Sequence, residues 1–92
     1  MSWTVEFTTK SSKQAIKLPE NIRHSLGRLI RDIEIGGPMR VNWKSFGQLK
    51  RANYHCHLRR GRPTYVACWE VVDKKIQIIE VYYVGTHEKA PY

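Results

Sequence analysis

The chain begins with strict alternation. Trp3, Val5 and Phe7 are separated by Thr4 and Glu6, which predicts a strand over about residues 2–8. Ser11 and Ser12 can cap a short helical turn running through Ile16 and Leu18. The period then changes. Pro19 suits the first turn of a longer helix, and Ile22, Leu26, Leu29, Ile30 and Ile33 form one apolar stripe at helical spacing. His24, Arg28, Arg31 and Asp32 lie off the stripe, and Gly36-Gly37-Pro38 ends the helix.

Residues 39–52 have no clean period and read as a connection with a short strand near 46–50. Alternation returns from Tyr54 to Arg59. Arg60-Gly61-Arg62-Pro63 is a turn, Tyr65 to Val72 is apolar on both faces, Asp73-Lys74-Lys75 is a second turn, and Ile76 to Val84 is the last strand. A turn at Gly85-Thr86 would then present His87, Glu88, Lys89 and Tyr92. The expected fold is α+β: an N-terminal strand and two helices packed on one face of a mainly antiparallel four-stranded sheet.

Counting back from the two turns predicts the faces. It sets His57 opposite Val66, His55 opposite Cys68, Cys68 opposite Glu80, and Val66 opposite Tyr82. One face would carry His55, His57, Arg59, Cys68, Glu70, Glu80 and Tyr82. Tyr54, Leu58, Tyr65, Ala67, Trp69, Val71, Ile79, Val81 and Tyr83 would turn toward the helix stripe. A one-residue slip would exchange the two sets.

Charge sharpens this picture. The 92 residues carry 16 Lys and Arg against 8 Asp and Glu, a net charge of +8, so the surface attracts polyanions. The length fits one domain, residues 1–92. No run approaches the ~20 apolar residues of a membrane span, and the N-terminus reads as a strand rather than a signal peptide. The cytoplasm is therefore the expected location, with no membrane partner. Cys56 and Cys68 read as buried thiols, not a disulfide.

A basic face with imidazoles, a carboxylate and tyrosines has the parts for RNA cleavage by general acid–base chemistry. A base takes the 2′-OH proton, a cation stabilises the phosphorane, and an acid protonates the leaving 5′ oxygen. Histidine titrates near working pH, and arginine forks onto phosphate oxygens. The candidate catalytic residues are His87, Tyr92, His57, Arg59 and Glu80. Lys50, Arg51, His55, Arg60, Arg62 and Lys89 are the candidate RNA- and phosphate-binding residues. His55, His57, Cys68 and His87 would also be the donors of a zinc site, but His-X-His without a further paired motif is a weak signal, and no metal is expected. Trp3, Trp43 and Trp69 read as core residues rather than base-stacking platforms.

The element order, the Leu49–Arg62 segment, the strand Tyr65-Val66-Ala67-Cys68-Trp69-Glu70-Val71 and the ending Val84-Gly85-Thr86-His87-Glu88-Lys89-Ala90-Pro91-Tyr92 together resemble the RelE/ParE superfamily of type II toxin–antitoxin toxins. The resemblance covers nearly the whole chain. It implies a RelE-like fold and a metal-independent, cofactor-free endoribonuclease (an mRNA interferase) that cuts messages on the ribosome and is neutralised by a cognate antitoxin. His87 matches the basic or histidine position after the Val-Gly of the last strand. Tyr92 matches the tyrosine near the C-terminus, and Lys50, Arg51, Arg59 and Arg62 match the basic residues around the second and third strands. Where many members have a strand arginine this chain has Val66, so Arg59, Arg62 or His57 would fill that role. Two other readings share the fold: a ParE-like gyrase-inhibiting toxin, and an inactive basic binding protein.

Overall fold

The computed structural model describes residues 2–59 and 61–92. The elements run β1 (Thr4–Phe7), α1 (Thr9–Ile16), α2 (Glu20–Gly36), β2 (Gly47–Lys50), β3 (Asn53–Arg59), β4 (Tyr65–Asp73) and β5 (Ile78–Thr86), closed by a 3-10 turn at His87–Lys89. They make a five-stranded sheet in the order β1-β5-β4-β3-β2, with both helices on one face. The α+β expectation holds, with one more strand than anticipated. The N-terminal strand joins the sheet, parallel to β5, and every other neighbour pair is antiparallel.

α1 starts earlier than Ser11 or Ser12 would place it. Thr8 is the cap, its Oγ1 accepting from Ser11 N at 3.0 Å. Ser11 is instead fully buried, and its hydroxyl donates to Val81 O at 2.7 Å, tying α1 to β5. α2 follows its apolar stripe. Ile22, Leu26, Leu29 and Ile33 are buried against Tyr54, Leu58, Ala67, Trp69, Ile79 and Val81 of the sheet. Gly37 ends α2 at φ 90°, a left-handed value that glycine takes without a Cβ penalty. Trp69, with no exposed surface, donates from Nε1 to Pro38 O at 3.1 Å and so fixes the exit from α2.

The sequence placed β5 two residues too early. Asp73 Oδ1 accepts from Lys75 N at 2.9 Å and Ile76 N at 3.1 Å, and Gln77 has φ 56°. The side-chain cap holds residues 74–77 in the turn and leaves Ile76 exposed. The other end also moves. Gly85 and Thr86 pair with Val66 and Tyr65, so they extend the strand rather than form a turn.

The β3–β4 register agrees with the count at His55↔Cys68 and His57↔Val66. The β4–β5 register does not. Cys68 pairs with Tyr83 and Trp69 with Val81, which leaves Tyr82 as an extra residue in a bulge. The longer turn already slides the pairing by two, so Glu80 faces Glu70 rather than Cys68, and the bulge adds one more, so Val66 faces Gly85 rather than Tyr82. Tyr83 leaves the helix side and packs with Val66 and Cys68 on the other face. Cys56 likewise lies in the helix-side core and Cys68 in the open-face cluster; both thiols are free and buried. No described helix is long and apolar enough to cross a membrane.

The two anchors of the helix layer separate by size. Thr8 N also donates to Val81 O, at 3.1 Å. Ser11→Ala therefore leaves that carbonyl paired and should cost about 1 kcal/mol. Ile33→Ala opens a cavity in the centre of the core and should cost about 2–5 kcal/mol. Urea denaturation of the two variants checks the order.

Candidate active site on the open face of the sheet

The face away from the helices has its own small apolar floor of Val66, Cys68 and Tyr83, against which Leu49, Tyr82 and Ala90 pack. Ala90 matters here because it seats the end of the chain. His87 N donates to Thr64 O at 2.8 Å, Ala90 N donates to His87 O at 3.2 Å, and Ala90 then lies on the floor. The tail is thereby folded back over the sheet, and Tyr92 reaches the ring of His55 at 4.6 Å between centroids, tilted by 35°. His87 meets Tyr92 edge to face at 5.9 Å and His57 edge to face at 5.7 Å. Three imidazoles and a phenol from β3, the 3-10 turn and the C-terminus thus share one spot.

Two glycines make room for this. A Cβ on Gly47 would stand 2.9 Å from His55 Nε2, so a side chain there would push the His55 ring from its place. A Cβ on Gly85 would stand 2.8 Å from Tyr83 Oη, which donates to Thr86 O at 2.7 Å.

Burial sets the charge of the site. His55 is pushed below its usual 6.5, first by desolvation and then by repulsion from His57 and His87. Its buried Nδ1 has no hydrogen-bond partner among the described residues, which agrees with a neutral ring. Tyr92 is pushed up to about 12 by burial and then by the nearby Cys68, Cys56 and Tyr83. Tyr82, half-buried, is also pushed up to about 12 by desolvation and then by the nearby Cys68 and Glu70. Both phenols are therefore proton donors at neutral pH, not bases.

Of the candidate catalytic residues, His57, His87 and Tyr92 are brought together and two are not. A register shift between His57 and Arg59 sets Arg59 opposite Tyr65, on the helix side, where it lines a cleft with Pro19, Asn21 and Ile22. Glu80 sits in a cross-strand row between Glu6 and Glu70. That is roughly 20 Å along the strand from Thr86, at about 3.3 Å per residue. Arg59 is displaced by the register shift in β3, and Glu80 by the turn at residues 74–77, which is longer than the count assumed.

Among the phosphate-binding candidates, His55 lies inside the cluster. Arg62 lines a groove with Thr64, His87 and Glu88, and Lys50 lines a pocket with Tyr92. Arg51 and Lys89 are exposed, on the β2–β3 turn and the 3-10 turn. Arg60 lies outside the described residues. Val66, in the expected arginine position, is fully buried in the floor.

Sequence reasoning did not select Lys44, whose carbonyl accepts from His57 N at 2.8 Å and which shares a cleft with His57. Nothing in the aperiodic segment 39–46 points to it. Glu70 was placed on the right face but not chosen. Among the described residues no cluster of His, Cys, Asp and Glu has the geometry to hold a metal ion.

No family model matches this chain, and no curated protein matches it in sequence. Solved structures do match. A free E. coli RelE toxin with two arginine-to-alanine substitutions superposes with a TM-score of 0.75 at 21% identity, over 98% of this chain and 88% of the other. This chain has the RelE toxin fold. The toxin fold in the intact E. coli RelBE toxin–antitoxin complex gives a TM-score of 0.74 at 19% identity, over 96% of this chain and 100% of that one. The archaeal RelE–RelB complex of Pyrococcus horikoshii gives 0.73 at 15% identity, over 98% and 100%. The RelE fold is thus held at identities too low to carry individual residues across, and the site must be judged on its own chemistry.

The depressed His55 titration has a sign that can be checked. The unfolded chain takes up a proton near 6.5, whereas folded His55 takes it up only at lower pH. The unfolded state binds more protons in that window, so this contribution is intact above 6.5 and stability falls as pH drops below it. The urea midpoint of the wild type should decrease between pH 7.5 and pH 5. His55→Phe, which keeps an aromatic ring beside Tyr92, should show a smaller decrease.

Proposed function

We propose that this chain is the toxin of a type II toxin–antitoxin pair. It acts as a metal-independent endoribonuclease on messenger RNA at the ribosome, in the cytoplasm, and a cognate antitoxin holds it in check. The cluster of His57, His87 and Tyr92 on the open face of a RelE fold carries the reading. The net charge of +8 supports a polyanionic substrate. The E. coli and P. horikoshii RelE proteins occur in complexes with RelB, which supports an antitoxin partner.

The chemistry follows from the arrangement. His57 and His87, with centroids 5.7 Å apart, are close enough to serve one phosphodiester. One imidazole takes the 2′ proton as the O2′–P bond forms. The other, entering as imidazolium, gives its proton to O5′ as the P–O5′ bond breaks. The products are a 2′,3′-cyclic phosphate and a 5′-hydroxyl. Tyr92 keeps its proton and donates a hydrogen bond to the charge that develops on the phosphorane. Arg62, in the groove beside His87, supplies the cation that Val66 cannot. Neutral His55 holds the Tyr92 ring rather than a phosphate.

Induction of the wild-type protein should arrest growth and leave cut messages visible by primer extension. His57→Ala or His87→Ala should lower cleavage by about 10²–10⁴-fold and relieve the arrest, while circular dichroism melting shows the fold retained. Treating the purified protein with a chelator, then removing the chelator before ribosomes are added, should leave the rate of cleavage unchanged. Growth arrest with SOS induction and intact messages would replace this reading with a gyrase inhibitor. No effect on growth would leave only a basic binding protein.

A further inference from the structure

Beside the histidine cluster lies a second pocket that the proton-transfer scheme does not use. It is lined by Leu49, Lys50, Asn53, Glu70, Tyr82 and Tyr92, and its volume is about 340 Å³. Two tyrosines, both protonated, stand at its edges, and Tyr92 is shared with the cluster. Glu70 is the only acidic residue among those that line it. One carboxylate oxygen, Oε2, accepts from Asn53 Nδ2 at 3.3 Å, which links Glu70 to its partner across the β3–β4 ladder. Asn53 Nδ2 also reaches Arg51 O at 3.5 Å. The amide hydrogens of Asn53 are thus directed at Glu70 and the β2–β3 turn, and the carboxylate keeps lone pairs for a ligand.

The carboxylate is costly where it stands. Glu70 pairs with Glu80, and Glu80 pairs with Glu6, so three carboxylates lie side by side across β4, β5 and β1. Like charges directly opposite one another in a sheet destabilise it. A negative charge next to a phosphodiester site also repels the backbone of the substrate. A glutamine would keep the contact with Asn53 without either penalty. A carboxylate here makes sense if it accepts hydrogen bonds from the ligand itself.

We propose that this pocket is a nucleobase subsite that selects guanine, and that Glu70 is its specificity-determining residue. This rests on the ribonuclease reading above. Guanine presents two adjacent donors, N1–H and N2–H, on its Watson–Crick edge, which match the two oxygens of one carboxylate. Adenine and cytosine offer a single amino group beside an acceptor, and uracil offers one donor between two acceptors. In single-stranded RNA that edge is free to be read, and aromatic side chains stack on the base face. Tyr82 and Tyr92 supply the rings, and Lys50 lies at hand for the phosphate of the same nucleotide. Because Tyr92 borders both the pocket and the histidine cluster, the base held by Glu70 would neighbour the scissile phosphate.

The test compares wild type, Glu70→Gln and Asn53→Ala by mapping cleavage sites on messages in a translating extract. Wild type should cut beside guanine at least ~10-fold more often than beside other bases, the scale of a bidentate base contact. Glu70→Gln should still cut but lose that preference, and Asn53→Ala should weaken it by less. In parallel, anisotropy of labelled hexanucleotides that differ only by guanine or inosine at one position reads the N2 donor directly. Tighter binding of the guanine oligomer by wild type, and equal binding by Glu70→Gln, is the expected result. Cleavage with no guanine preference, or a preference that survives Glu70→Gln, overturns the subsite. If wild type cuts nothing but discriminates guanine from inosine through Glu70, the subsite stands and the ribonuclease reading fails. If it neither cuts nor discriminates, both fail.

Discussion

The pairing of β4 with β5, and the extra residue that Tyr82 makes in β5, is the constraint on which the site depends. Tyr82 bulges between the Cys68↔Tyr83 and Trp69↔Val81 pairs. On the far side of the bulge the strand keeps Ile79 and Val81 in the helix-side core. On the near side it turns Tyr83 onto the open face, brings Gly85 opposite Val66 and delivers His87 to the sheet end beside Thr64. Without the bulge, one half of β5 would satisfy the core and the other half would present the wrong residues. Bulges often re-aim side chains next to functional sites, and here one re-aims the chain terminus.

The second feature is the way apolar burial and chemistry share the open face. Most exposed sheet faces are polar. This one has a buried floor of Val66 and Cys68, so the groups above it are partly dehydrated. Dehydration explains both the lowered His55 and the raised Tyr82 and Tyr92. The floor thus tunes the proton chemistry as well as supporting the rings.

The helices, the strands and the segregation of faces were legible in the sequence because each rests on a period: 3.6 in α2, two in β1 and β3. The convergence of His55, His57, His87 and Tyr92 was legible for the same reason, since His55 and His57 share parity and the other two follow the last strand. Arg59 was misplaced because a bulge inserts a residue without leaving a mark in hydrophobic alternation, and Glu80 because the turn capped by Asp73 is longer than the sequence suggested. The capping of α1 by Thr8 rather than Ser11 was hidden because both hydroxyl residues can serve, and the burial of Ser11 against Val81 decides it. Lys44 belongs to a segment whose path is set by tertiary contacts, such as Trp43 Nε1 to Asp32 Oδ2 at 2.9 Å, and no local rule finds it.

The parallel pairing of β1 with β5 joins the two ends of the chain. β5 lies between the first strand and the rest of the sheet, so β1 has no ladder partner until the last strand exists. α1 is bound to that same strand through Ser11 and Val81. On a ribosome, the sheet cannot close while the C-terminal residues are still in the exit tunnel. The long loop that this closure demands is an entropic cost that falls late in folding. An incomplete copy therefore has neither a closed sheet nor the residues that cap its open face.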